Sequence, residues 1–150
     1  MIILYEPEGG EIERLDAGRL RASEIQIIER TADRPWVELK EAMSEGDIGA
    51  LRVIAWAIKR RSEPSLRLAD FDPWDGELRA RLDARETRSY ADWIVAKYGD
   101  DPGDLAAACA ELREASADAE ACELAIKEAQ APKDPAPSPV PEQSSLATGS

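Results

Sequence analysis

The sequence predicts a mainly α-helical fold: a compact helical domain with a short N-terminal β-hairpin, a long C-terminal helix and a disordered, proline-rich tail. Three observations lead there. Residues 24–72 divide into three consecutive apolar-periodic segments, each with its own start or stop signal. From Pro102 to Ala129 no stop signal interrupts an alanine-rich stretch. After Gln130 the composition changes abruptly to Pro132, Pro135, Pro137, Pro139 and Pro141 among small and polar residues. The implied organisation is a helical domain with its hairpin over 1–98, a long helix over 99–130 and a tail over 131–150.

At the N-terminus, Ile2-Ile3-Leu4-Tyr5 and Gly10-Glu11-Ile12-Glu13-Arg14-Leu15 flank the turn-forming Glu6-Pro7-Glu8-Gly9. A short hairpin fits best, with an unstructured lead-in as the alternative, because two strands alone are marginal in water. Ser23 and Gln26 have the spacing of a capping box, opening a helix to about Thr31 that buries Ile25 and Ile28. Pro35 belongs in a first helical turn, with Asp33 as the candidate cap, and Trp36, Leu39 and Met43 then form one buried stripe. Gly46 ends that helix and Asp47 can cap the next, Ile48 to about Ser62. This third helix is apolar over more than half its circumference through Ile48, Leu51, Val53, Ile54, Trp56 and Ile58, so it is expected at the centre of the domain.

Asp72-Pro73 has the look of another cap and start, for a helix carrying Trp74, Leu78 and Leu82. A further helix is expected to open at Ser89, carry Trp93, Ile94 and Tyr98, and close at Gly99. Asp101-Pro102 repeats the start signal for the last rod, about 40 Å long. Along it Leu105, Ala108, Leu112, Ala115, Ala119, Cys122, Ile126 and Ala129 alternate spacings of three and four. This is a coiled-coil seam of mostly small residues, packing within the chain or between two copies through the 105–129 helix, unless alanine abundance alone produces it.

The residue inventory argues against an enzyme. The chain has no histidine, so the usual general base is missing, and its carboxylates are as expected of solvated faces in a protein with 31 acidic residues. Cys109 and Cys122 lie thirteen residues apart in one predicted helix, about 20 Å along its axis, too far for a disulfide or a shared metal. Asp70, Asp72 and Asp75 lack the spacing of a calcium loop and read more simply as helix caps. No cofactor and no metal is expected. A net charge of −12 disfavours nucleic acid and anionic membrane surfaces. No apolar run approaches the roughly 20 residues of a membrane span, and the first residues lack the pattern of a signal peptide. A soluble cytosolic protein is the expectation.

What remains is protein binding. Lys59, Arg60 and Arg61 with Arg67 could bind phosphate or an acidic partner segment, although complementing the helix dipole and keeping the surface soluble is the simpler reading. Trp36 and Trp56 lie in apolar stripes and read as core, whereas Trp74 is the tryptophan expected to be partly exposed. The candidate partner-binding residues are therefore Trp36, Trp74, Arg60 and Arg61.

The succession of signals between Gly10 and Asp72 resembles the tail assembly chaperones of long-tailed, siphovirus-type phages of actinobacterial hosts. The features that carry the resemblance are Gly10-Glu11-Ile12-Glu13, then Glu24 with Ile28-Glu29-Arg30-Thr31, then Trp36 after the break. Glu45-Gly46-Asp47, Ala55-Trp56, Arg60-Arg61, Pro64 and Leu66 complete it. The resemblance implies a non-enzymatic chaperone of the host cytoplasm, absent from the mature virion. It would keep the tape-measure protein soluble while tail tube protein assembles around it. The resemblance also implies a longer form of the same protein made by programmed frameshifting, for which Ala131-Pro132-Lys133 could encode a slippery run. The competing expectation is an acidic adaptor or DNA-mimic inhibitor that occupies a basic site on a host protein.

Overall fold

A computed structural model describes residues 1–133. The expected proline-rich tail falls almost wholly outside the described residues. Among those residues the protein is mainly helical, with six α-helices and one small sheet. In chain order they are β1 (Ile2–Tyr5), β2 (Glu13–Asp16), α1 (Ala22–Ala32), α2 (Trp36–Ser44), α3 (Ile48–Lys59), β3 (Leu78–Arg81), α4 (Ala84–Tyr98), α5 (Pro102–Ala115) and α6 (Ala119–Gln130).

The hairpin forms, but as part of a larger sheet. β1 is the middle strand, antiparallel to β2 on one side and to β3 on the other, in the order β2-β1-β3. β3 takes the place of the helix expected after Pro73. Leu78 and Ala80 point inward while Arg79 and Arg81 alternate with them, so the period is two. Trp74, Leu78 and Leu82 satisfy a helical spacing equally well, and only pairing with β1 separates the two. The third strand also removes the weakness of an isolated hairpin.

The helical joints differ in detail from the expectation. α1 begins at Ala22, one residue before Ser23, and the Glu24 carboxylate rather than Gln26 takes the Arg21 amide. Asp33 caps no helix N-terminus. It sits at φ 52° and ends α1, while the Glu29 carboxylate receives the Trp36 amide at the start of α2. Asp47 does cap α3, accepting the Ala50 amide at 2.8 Å. α3 ends at Lys59, not Ser62, yet it is central as expected: Leu51 and every residue from Val53 to Ile58 are buried. At its start Ile48 is exposed. Sheet, α1, α2 and α3 share one apolar core with Phe71.

A second core is built by α4, α5 and α6 from Ala91, Ile94, Cys109, Leu112, Cys122, Ala125, Ile126 and Ala129. The helix expected to close the N-terminal unit thus packs with the C-terminal pair. It opens at Asp83, which accepts the Glu86 amide while Glu86 returns the bond, and Ser89 lies inside it. The expected 102–129 rod is broken at Ser116-Ala117-Asp118. Asp118 caps α6 through the Ala121 amide. The break is also held from outside: the Leu82 amide donates to Ala115, and the Ala117 amide donates to Leu82. The seam of small residues therefore folds back against α4 within one chain. Cys109 and Cys122, placed far apart by the rod, are both buried in the same cluster as free cysteines.

Candidate functional site

Of the residues that the sequence singles out, three are occupied in holding the fold. The Arg60 guanidinium lies 5.1 Å from the centre of the Trp56 ring. Arg61 pairs with Glu24 and donates to the Arg19 carbonyl. Lys59, beside them, binds Glu13 at 2.9 Å. This basic end ties α3 to β2 and α1. Trp36 is half-buried against the first core. Trp74 alone stands free, at 74 % exposure on the turn before β3. No hydrogen bond or ring contact among the described residues brings Trp36 or Trp74 to Arg60 or Arg61.

The Arg61 contact has a pH consequence. The hydrogen bond from Arg61 holds the Glu24 carboxyl below its usual range, helped by the Arg21 amide and opposed by burial. A lowered folded value means that the interaction stabilises fully above the ordinary glutamate pKa of about 4.3 and is lost as pH falls through the folded value. Glu24→Gln should therefore cost on the order of 1 kcal/mol at pH 7. Denaturation curves of mutant and parent should converge on acidification below the ordinary glutamate range. A gap that persists at low pH would assign the loss to packing instead.

An apolar groove lies elsewhere, between α4 and α5. It is a groove of about 390 Å³ lined by Leu82, Tyr90, Trp93, Ile94 and Tyr98 on one side and Ala108, Glu111, Leu112 and Ala115 on the other. Its origin is a mismatch of side-chain size. Ile94 and Leu112 are buried at the floor, while small Ala108 and Ala115 face large aromatics and leave space between the helices. Tyr90 and Trp93 are each 51 % exposed. Trp93 meets Tyr98 edge to face at 6.1 Å, and the Lys97 ammonium lies 4.7 Å from the Trp93 ring centre and 4.9 Å from that of Tyr98.

Other hollows carry more charged side chains in their lining. A wider one of about 630 Å³ at the α1–α2 corner is lined by Gln26, Glu29, Arg30, Asp33, Arg34 and Pro35, almost all polar. One of about 340 Å³ between α4 and α6 is crossed by the Arg88–Glu128 ion pair. Among the described residues no group of three or more His, Cys, Asp or Glu side chains is placed to hold a metal ion. No helix among them is long and apolar enough to cross a membrane.

Sequence reasoning placed Trp93, Ile94 and Tyr98 on a helix but did not select them as a site. A usable signal was present. Ala91 and Ile94 already supply one buried face of α4, so Tyr90 and Trp93, turned away from it, exceed what that face can cover. Compared with protein-family models, with curated proteins and with solved structures, the chain matches none.

Proposed function

We propose that the protein is a non-enzymatic tail assembly chaperone of a long-tailed phage, which covers apolar helical surface of a tape-measure protein during tail tube assembly. The observation that carries this reading is the α4–α5 groove: an aromatic-walled, unfilled apolar cleft on the surface of a chain with net charge −12. Half-exposed tryptophan and tyrosine are the side chains that most often dominate protein interfaces. High net charge keeps a coated complex dispersed, which is what a cover for an aggregation-prone helix needs. The resemblance over Gly10–Asp72 supplies the biological setting: host cytoplasm, tape measure as partner, and a longer frameshifted form as co-worker.

A second reading, the acidic adaptor or DNA mimic, is favoured by the charge of the C-terminal half, where residues 82–130 hold twelve acidic against five basic residues. Its binding would rest on charge and fall steeply with salt, whereas apolar burial in a groove survives moderate salt.

The test is co-expression with the tape-measure protein from the same genome. The tape measure is expected to move from the insoluble to the soluble fraction and to co-purify at moderate salt. A tape measure that remains insoluble, even with the frameshifted form also present, would overturn the chaperone reading.

A further inference from the structure

The two walls of the α4–α5 groove differ in chemistry. On α4, Tyr90, Trp93 and Lys97 follow at i, i+3 and i+7 and make an aromatic wall whose only cation is folded over its own rings. On α5, Asp104 and Glu111 stand two turns apart on the outer edge of the Ala108–Leu112–Ala115 stripe, with Glu114 one step further out. All three carboxylates are exposed. None of them makes an ion pair with the described residues, although Arg113, between Glu111 and Glu114 in sequence, pairs with Glu123 of α6. The groove therefore offers apolar depth, an aromatic side and a row of unneutralised negative charge along the other side.

That asymmetry selects an occupant. A second copy of this chain would bring a net charge of −12 against the acidic wall, and nucleic acid would bring phosphates against it. A cleft between two helices accommodates a third helix through anchors at i, i+3 or i+4, and i+7. We propose that the groove binds an amphipathic α-helix of the partner, its apolar stripe seated on Trp93, Ile94 and Leu112, and its lysines or arginines aligned with Asp104, Glu111 and Glu114. This rests on the proposed function for the partner's biological identity, but not for the geometry. Apolar burial supplies the affinity, and the carboxylate row sets the orientation, because a basic flank can face α5 in only one of the two ways of laying down the helix.

The experiment uses the full chain and three fluorescein-labelled helical peptides of about 18 residues, ~27 Å long. The first carries a leucine stripe with lysines along one flank. The second has glutamates in place of the lysines. The third keeps the lysines but has glutamines in place of the leucines. Fluorescence anisotropy at low salt should show the first binding about tenfold more tightly than the second, with the gap closing near 0.5 M salt, where screening acts over a few ångströms. The third should bind at least tenfold more weakly than the first. Combining Glu111→Gln with Glu114→Gln should shrink the lysine–glutamate gap, and Trp93→Ala, at a half-exposed position, should weaken both leucine peptides. Equal binding of lysine and glutamate peptides, full binding of the glutamine-stripe peptide, insensitivity to Trp93→Ala, or no binding at all would each overturn the proposal. The co-expression assay separates it from the chaperone reading. A tape measure kept soluble by the Trp93→Ala chain removes the groove and leaves the chaperone. Selective peptide binding by a chain that fails to solubilise the tape measure does the reverse.

Discussion

Trp56→Ala is expected to lower stability by about 3–5 kcal/mol, a large share of the 5–15 kcal/mol typical of a native domain. Trp56 is 7 % exposed in the middle of α3, whose neighbours on both sides are also buried, so the truncation leaves a cavity that the surrounding backbone cannot close. Two further contacts go with it. The indole N–H donates to the Leu66 carbonyl at 2.9 Å, and the ring supports the Arg60 guanidinium. Urea denaturation followed by circular dichroism measures the loss. A variant with near-parental stability would mean that the centre of the N-terminal core lies elsewhere. Trp56→Phe, which keeps most of the apolar volume but has no indole N–H, should lose less, and what it still loses includes the Leu66 hydrogen bond.

Leu112→Ala is expected to cost about 2–5 kcal/mol through the second core. Leu112 is buried among Ala91, Ile94, Cys122 and Ile126 although it lies on a helix with exposed alanines on its other side. The prediction separates two pictures of the 102–130 segment. In a continuous rod that pairs between chains, Leu112 would be a seam residue, and the melting temperature of both parent and variant would rise with protein concentration. In the observed three-helix packing the loss is intramolecular, and both melting temperatures are independent of concentration. Differential scanning calorimetry over a hundredfold concentration range decides between them.

The legible parts of this protein are those set by neighbours within a turn or so. Asp47 before Ile48 and Asp101 before Pro102 were recognisable as helix starts, and the structure has both, with Asp101 accepting the Gly103 and Asp104 amides. The Trp36, Leu39 and Met43 stripe faces the core as its period requires, with Trp36 at its half-covered edge. Where two local caps compete, the sequence was less decisive. Ser23 offers a good cap, yet α1 starts one residue earlier, where Glu24 takes the Arg21 amide and is itself held by Arg61, 37 residues away and just beyond α3. The candidate site shows the same division. Trp74 could be recognised as exposed from its place on a turn. For Arg60 and Arg61 a structural role at the end of α3 was the simpler reading, but their partners Trp56, Glu24 and Arg19 were not legible, because they meet them only when the helices pack. The groove was invisible for a related reason: it exists only because α5 turns back and sets Ala108 and Ala115 opposite Tyr90 and Trp93.

By itself, then, the sequence determined the helical class, the central position of α3 and the acidic surface, and it favoured a hairpin around the turn at residues 6–9, since periodicity, caps and charge act locally or over the whole composition. The tertiary structure decided the strand at Leu78–Arg81 and the break at Ser116–Asp118. At both places the competing local states differ by roughly 1 kcal/mol or less per residue, so distant partners tip the balance. β1 supplies the ladder that makes Leu78–Arg81 a strand. The Leu82 backbone, carried on from that strand, takes the Ala117 amide and gives its own to Ala115, which replaces the helical hydrogen bonds that the break gives up. The third strand and the split helix are joined through the Leu82 backbone, a contact that only the folded chain makes.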